Sequence, residues 1–123
     1  MVRSGSINAG EAAGQADEWT RRLTAFNGAR KAELDHARKH GIHFDQPKGE
    51  FAAAYAAAPK SVHEEDEILT EAAYLAEDAL MLWPSPDCSA FALKVVLAHG
   101  RGLSLYDDII LSEAQRFSGR VVR

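Results

Sequence analysis

The chain has 123 residues, a formal net charge of −4 and one cysteine, and 46% of its residues are hydrophobic and 26% charged. This composition excludes an intrinsically disordered protein, and the length suits one domain with one modest core. A negative net charge excludes DNA binding across the whole surface, one cysteine excludes an internal disulfide, and no apolar run approaches the ~20 residues that span a bilayer. We therefore expect a cytoplasmic protein that binds no membrane.

Residues 1–14 are rich in Gly, Ser and Ala, which predicts a flexible arm before a single helical domain over residues 15–119. Residues 17–40 predict a long amphipathic helix that ends at Gly41. Its apolar residues recur at spacings close to whole turns, and they are Trp19, Leu23, Phe26, Leu34 and Ala37. Arg30 falls inside this apolar stripe, so it must reach water or a carboxylate.

The first helix also carries two sets of candidate ligands. Its paired bases are a weak candidate for nucleic-acid binding, but they spread around the helix as a solvated face does; they are Arg21, Arg22, Arg38 and Lys39. His36 and His40 are four residues apart, as zinc ligands on one helix are, and with His43 they are a weak metal candidate. Glu33 and His36 have the Glu-x-x-His spacing of di-iron bundles, but such bundles need that unit twice. We therefore predict no bound cofactor.

A short second helix is predicted over residues 50–58. Residues 42–49 contain Pro47 and Gly49 and predict a loop, and Pro59 ends the Ala-rich run that follows. Phe51 and Tyr55 are four residues apart, so this helix is expected to dock by one aromatic face.

The third helix is predicted to begin at a capping box formed by Ser61 and Glu64 and to end at Trp83, before a proline. Its wide apolar face is predicted to be buried and comprises Ile68, Leu69, Ala72, Leu75, Ala76, Ala79, Leu80 and Trp83. The opposite face carries the candidate partner-binding residues Glu64, Glu67, Glu71, Tyr74, Asp78 and Met81. An exposed aromatic ring and a pliable thioether among carboxylates would anchor a basic partner, although early acids also suit the helix dipole.

The fourth helix is predicted to lie at the centre of the fold. Asp87 is a favoured N-cap residue, and Gly100 is a favoured C-terminal stop. Apolar residues between them fall on every side of the helix, and Lys94 is the one full charge. A helix that is apolar all round is buried, so the other helices are expected to wrap this one. The neighbouring valines 95 and 96 also admit a strand.

The last helix is predicted from a second capping arrangement at Ser104 to residues 118–119, with a loose tail over residues 120–123. Its core face comprises Leu105, Tyr106, Ile109, Ile110, Ala114 and Phe117. Glu113 lies within this face and is a candidate partner for Arg30 or Lys94. The predicted fold is all-α: four main helices and one short helix around a buried central helix.

No sequence motif predicts catalysis. Cys88 would need a base, and because His99 lies three turns away on the same helix, a small packed side chain is the favoured interpretation. Glu64 and Glu67 match one carboxylate pair of the all-helical nucleoside-triphosphate pyrophosphatases, but the second pair is missing. The chain has no phosphate-binding loop, no nucleophile elbow and no Cys-x-x-Cys pair. A small metal- or nucleotide-dependent all-α enzyme therefore stays an alternative function.

Residues 80–94, LMLWPSPDCSAFALK, resemble a group of small helical bacterial proteins carried on phage-like or plasmid elements. The shared pattern is a helix, a Pro-x-Pro-Asp break and a second helix with Ala, a bulky apolar residue and Lys. The likeness covers roughly residues 70–117, and Cys88 stands where a larger apolar residue is commoner. The resemblance implies an accessory protein of mobile DNA, and it carries over no functional residue.

The leading hypothesis is a non-enzymatic protein-binding accessory or inhibitor protein that acts through the acidic face of the third helix on a partner with a basic surface. The missing catalytic motif, the acidic face and the resemblance together motivate one specific form of this hypothesis, an inhibitor of a host defence system such as an anti-CRISPR protein. A nucleic-acid-binding accessory protein that uses the basic first helix is the third hypothesis. A homodimer is a further alternative, since Trp19 or Trp83 suits an interface as well as a core.

Overall fold

A computed structural model describes residues 9–42, 48–101 and 106–119. The described residues form helices α1 (Ala9–Lys39), α2 (Lys48–Ala57), α3 (Lys60–Leu82), α4 (Cys88–Arg101) and α5 (Asp107–Ser118). No described residue is in a strand, so the predicted all-α fold, a small helical bundle, is confirmed and the strand alternative for α4 is wrong. Several predictions concern residues outside the described part of the chain: most of the N-terminal arm, His43 and its loop, the capping arrangement at Ser104, and the tail.

The helix ends follow from local chemistry. At the end of α1, Gly41 has a φ of 68°, and the amide of Ile42 donates to the carbonyl of Ala37 at 2.8 Å, which turns the chain back towards the helix. At the start of α4, the side chain of Asp87 accepts a hydrogen bond from the amide of Ala90 at 2.8 Å, as an N-cap residue does. At the end of α5, Gly119 takes the left-handed conformation, with a φ of 71°. These three predicted ends are confirmed.

Two predicted helix ends are wrong. α3 begins at Lys60, directly after Pro59, and the amides of Val62 and His63 bond to the carbonyl of Pro59. Ser61 therefore lies inside the helix instead of forming a capping box with Glu64. Gly100 does not stop α4, which continues to Arg101.

The chain divides into two compact units, one comprising residues 1–22 and 79–123 and the other residues 23–78. Both α1 and α3 contribute residues to each unit, and a single domain over residues 15–119 stays a prediction.

The core of the unit over residues 23–78 includes Ala37, Ile42 and Val62. Phe51 of α2 packs against this cluster, and its ring stacks on that of Tyr55 with 5.9 Å between centroids. Tyr55 in turn meets the ring of His63 edge-on at 4.4 Å. The short helix therefore docks by its aromatic face, as its spacing predicts.

The buried face of α3 differs from the predicted one. Its buried residues are Val62, Ala73, Glu77, Leu80 and Met81. Ile68 and Leu75, which were expected in the core, are 66% and 62% exposed. Apolar residues occupy more of the circumference of α3 than its neighbours cover, so one apolar stripe is left at the surface.

The prediction that α4 is buried on all sides is also wrong. Val95 and Val96 are 41% and 65% exposed, whereas Lys94, its one predicted charge, is fully buried. Lys94 is buried because a carboxylate and a backbone carbonyl, described below, satisfy its ammonium group.

Candidate partner-binding surface

One face of α3 presents carboxylates to solvent. Glu64, Glu67 and Glu71 are all exposed, at helical spacings of three and four residues. Glu64 lies 3.5 Å from Lys60, whose side chain is itself 91% exposed, so this ion pair contributes little to stability. Among the described residues, no ion pair involves Glu67 or Glu71, and the sequence has no Lys or Arg between Lys60 and Lys94. The negative charges of Glu67 and Glu71 are therefore not neutralised within their own helix.

Large apolar side chains lie among these carboxylates. Ile68 is 66%, Tyr74 51% and Leu75 62% exposed. We define the α3 surface as Glu64, Glu67, Ile68, Glu71, Tyr74 and Leu75. The spacing of these residues brings them to one side of the helix, because residues three, four and seven apart share a face. Exposed apolar side chains with a charged rim are typical of a protein-binding site.

Two of the predicted partner-binding residues are not part of this surface. Met81 is fully buried, so its predicted exposure is wrong. It lies seven residues after Tyr74, in nearly the same direction, but it lines a pocket with Pro84, Ile109 and Glu113 and is covered there. Asp78 is only partly exposed. Ile68 and Leu75 were missed, although each directly follows a predicted residue, Glu67 or Tyr74, in the sequence.

A second polar cluster, in the unit over residues 1–22 and 79–123, is buried around Glu113. Its carboxylate accepts hydrogen bonds from the amide of Ser85 at 2.8 Å and from the hydroxyl of the same residue at 2.5 Å. Lys94 donates to it at 3.0 Å and Arg116 at 3.2 Å. Each carboxylate oxygen thus accepts two hydrogen bonds, which leaves no lone pair suited to a catalytic base.

Lys94 is held by the same cluster. Its ammonium group donates to the carbonyl of Trp83 and to Glu113, and it lies 5.5 Å from the ring centroid of Trp19. Arg116 donates to the carbonyl of Ser85 at 2.7 Å. Because these bonds converge on residues 83–85, they fix the corner between α3 and α4, where the Pro-x-Pro-Asp pattern lies. Of the two predicted partners of Glu113, Lys94 is confirmed and Arg30 is not: Arg30 pairs with Glu33, which also accepts a hydrogen bond from Thr70 at 2.8 Å.

A pocket of about 290 Å³ opens beside this cluster, lined by Met81, Leu82, Pro84, Lys94, Asp108, Ile109, Ser112 and Glu113. The charges of Lys94 and Glu113 compensate each other at 3.0 Å. The cluster therefore explains the stability of the corner and points to no particular ligand.

Burial and hydrogen bonding shift the pKa values of this pair. Burial lowers the pKa of Lys94 below its ordinary 10.5, and the neighbouring Glu113 opposes that shift. Burial also raises the pKa of Glu113, but hydrogen bonds from the hydroxyl and amide of Ser85 and from Lys94 outweigh it. The pKa of Glu113 therefore lies below its ordinary 4.5.

The lowered pKa of Glu113 predicts a loss of stability in acid. Its ionised form contributes stability at pH values above 4.5, and this contribution is lost as the pH falls through the lower pKa of the folded state. The variant Glu113→Gln should therefore show a flatter dependence of the free energy of unfolding on pH in this range. Urea denaturation at several acidic pH values measures that slope. An unchanged slope would contradict a lowered pKa for Glu113.

The lowered pKa of Lys94 acts at alkaline pH. There the free energy of unfolding should rise as the pH increases from the pKa of the folded state towards 10.5, because the unfolded chain binds more protons in that range.

The histidines do not form a metal site with other described residues. His36 is buried, with its Nε2 3.3 Å from the carboxylate of Glu65 and its Nδ1 4.0 Å from that of Asp66. The ring of His40 lies 4.7 Å away, centroid to centroid. Within the described ranges no three His, Cys, Asp or Glu side chains are arranged to hold a metal ion, and His43 lies outside them.

Two of the four candidate nucleic-acid residues are engaged in contacts within the chain. Arg22 and Arg21 both donate hydrogen bonds to Glu18. These bonds lower the pKa of the Glu18 carboxyl, and the bond from Arg22 has the larger effect. Arg22 also donates to the carbonyl of Ala79 at 2.6 Å and lies 4.7 Å from the ring centroid of Trp83. Trp83 is itself anchored by a hydrogen bond to the carbonyl of Gln15 at 3.0 Å. Arg38 and Lys39 are exposed at the end of α1, where bases also complement the helix dipole.

Cys88 is exposed, so the prediction of a small packed side chain is wrong. His99 is exposed on the same helix and supplies no neighbouring base.

No described helix is long and apolar enough to cross a membrane. No family model, curated protein or solved structure matches the chain.

Proposed function

We propose that this chain is a non-enzymatic protein-binding module whose α3 surface docks into a groove with an apolar floor and a basic rim on another protein. Helices that present apolar side chains on one face bind partners in this way, and here Ile68 and Leu75 are seven residues, about two turns, apart. The observation that carries the proposal is the exposure of Ile68, Tyr74 and Leu75 among three exposed glutamates.

Charge determines the class of partner. The α3 surface contains three carboxylates and no base, so a groove rimmed with Lys and Arg is complementary to it, whereas an acidic surface is repelled. The apolar side chains would supply affinity, because they leave water only when the groove covers them. The carboxylates would supply orientation and a fast, salt-sensitive association.

We further propose, on the resemblance of residues 80–94 to proteins of mobile elements, that the partner belongs to a host defence complex. CRISPR effector proteins hold their nucleic acid in a positively charged channel, and such a channel offers the basic rim that the α3 surface requires. An anti-CRISPR-like inhibitor is thus one specific form of the proposed function.

The proposal predicts that charge reversal on the α3 surface abolishes partner capture. We expect Glu67→Lys with Glu71→Lys to reduce capture from a lysate of the native cell at least tenfold, because each Lys would meet a basic rim. Immobilised full-length chain, washing at increasing salt and mass spectrometry of the bound proteins provide the measurement. The apolar variant Ile68→Ser with Leu75→Ser should lose the same bound protein, since both side chains are exposed and their loss leaves the core intact.

The matched control is Asp17→Lys with Glu50→Lys, which makes the same change in net charge at exposed positions outside the α3 surface. This control should capture the partner as the wild type does, and all variants should keep the helical circular dichroism spectrum. Equal loss in the control would show that net charge, not the α3 surface, determines capture. Equal capture by all variants would overturn the proposal.

A further inference from the structure

The apolar side chains that α3 exposes near its acids lie along one line of the helix. Ile68, Ala72 and Leu75 are all exposed, and they follow one another at intervals of four and three residues. These are the intervals of the seam along which two helices pack against each other. Ile68 and Leu75 are large and more than half exposed, so a partner that covers the line removes much apolar surface from water.

This line contains a site for one projecting side chain. Its four corners are Ile68, Glu71, Ala72 and Leu75. They occupy positions i, i+3, i+4 and i+7 of the helix, and four residues at these positions surround each side chain that a packed partner helix inserts. Ala72 is the small member and leaves room between the two large ones. A helix presents projecting side chains at the same intervals, so it fits the whole line.

Carboxylates flank this line on one side. Glu64 and Glu71 are both exposed and are seven residues apart, so they lie about two turns apart on the same flank. The residues at the matching positions of the other flank, Leu69 and Ala76, are uncharged and only partly exposed. Glu65 also lies on that side, 3.3 Å from a histidine ring of α1. Charge complementarity therefore places the bases of a partner along one flank, about two turns apart.

We propose that the α3 surface binds an amphipathic helix of its partner, which carries apolar residues at intervals of three and four and a Lys or Arg at every seventh residue along one flank. The groove that accepts the α3 surface is then the one between rows of side chains on that helix. This inference rests on the proposed function, since it concerns the same surface, and it adds the form and the charge pattern of the partner.

Charge excludes three other occupants of the α3 surface. Nucleic acids and the anionic surfaces of membranes are repelled by Glu64, Glu67 and Glu71. An antiparallel second copy of α3 would bring its acidic flank against the same acidic flank, and a parallel one would set the carboxylates against Leu69 and Ala76. A helix with bases along its flank neutralises them.

Binding of labelled peptides to the full chain, measured by fluorescence anisotropy, tests this inference. The probe is a synthetic peptide of about 21 residues, or three heptads, with leucines at intervals of three and four, a lysine at every seventh flanking position and alanine elsewhere. It should bind, and its Kd should rise with salt, because salt screens the flanking charges. One control peptide has glutamates in place of the lysines. The other has the composition of the probe, with its leucines spread around the helix.

Both control peptides should bind more weakly than the probe, by a factor of about ten or more. One of them opposes the carboxylates, and the other breaks the line of apolar side chains. Failure of the probe to bind, or equal binding of the three peptides, would overturn the inference.

Exchange of the charges locates the contact. Glu64→Lys with Glu71→Lys makes the flank basic, so this variant should prefer the glutamate peptide to the probe by a factor of about ten or more. The matched control Asp17→Lys with Glu50→Lys makes the same change in net charge at exposed positions outside the α3 surface and should keep the wild-type preference. All variants should keep the helical circular dichroism spectrum. An unchanged preference in the Glu64, Glu71 variant would contradict the assigned flank.

Competition with the captured partner separates this inference from the proposed function. The probe should release the captured protein from immobilised chain. A capture that Glu67→Lys with Glu71→Lys abolishes, but that the probe does not disturb, would leave the proposed function standing and overturn the helical partner. A capture that charge reversal does not reduce would overturn the proposed function and, with it, this inference.

Discussion

Replacing Lys94 by methionine should lower the free energy of unfolding by about 3–5 kcal/mol, because it removes the buried one of the two cations that hold a buried carboxylate. Methionine has a similar length and no charge, so the effect measures the lost ion pair more than a cavity. Glu113 would keep its bonds to Ser85 and Arg116, yet its negative charge would stay in a site with little solvent. Urea denaturation followed by circular dichroism gives the free energy of unfolding.

The matched control is Lys60→Met, the same substitution in an ion pair at the surface. Lys60 and Glu64 are 3.5 Å apart but exposed, so this variant should cost at most about 1 kcal/mol. The double variant Lys94→Met, Glu113→Leu should lose less than the sum of the two single losses, since it removes both buried charges together. Equal costs for Lys94→Met and Lys60→Met would show that the buried pair contributes no more than a surface pair.

The sequence predicts those parts of the fold that depend on near neighbours. Gly41 sets the end of α1, Asp87 the start of α4 and Gly119 the end of α5. Each of them acts on backbone within a few residues. The docking of α2 follows from the spacing of Phe51 and Tyr55 in the same way. Such features are readable because cause and effect lie in the same stretch of chain.

Burial in α4 depends on distant residues, and the sequence does not predict it. Lys94 is satisfied by Glu113, nineteen positions further along the chain, and by the carbonyl of Trp83. A pattern of apolar residues indicates which side chains favour burial, but it does not show that a lysine will find such partners while Val96 stays at the surface. The prediction that α4 is buried on all sides is wrong for this reason.

The candidate surface on α3 was predicted in part. Its three glutamates and Tyr74 are exposed as expected, because charged side chains rarely leave water. The sequence does not show how far along the helix that exposure extends. From Glu77 to Met81 no residue is exposed. Within this stretch, Ala79, Leu80 and Met81 belong to the unit of residues 1–22 and 79–123, whereas Tyr74 belongs to the other unit. Spacing alone assigns Met81 to the same side as Tyr74, and only this change of surroundings separates them.

A pair of Leu→Ala variants in α3 tests which of its apolar residues are buried. Leu80→Ala should lower the free energy of unfolding by about 2–5 kcal/mol, because Leu80 is fully buried and its loss leaves a cavity. Leu75→Ala should change it by no more than about 0.5 kcal/mol, because Leu75 is 62% exposed. The two variants make the same chemical change in the same helix, so helix propensity cancels in the comparison and burial alone distinguishes them.

Urea denaturation of both variants therefore decides whether α3 has the orientation that the proposed function requires. A large loss for Leu75→Ala with a small one for Leu80→Ala would place Leu75 in the core, and the α3 surface would then lack an apolar residue that a groove could cover. In the predicted result, the Leu75 side chain contributes hydrophobic free energy only when a partner buries it. In that case the same leucine should matter little to folding and much to binding, a combination that distinguishes a docking surface from a core.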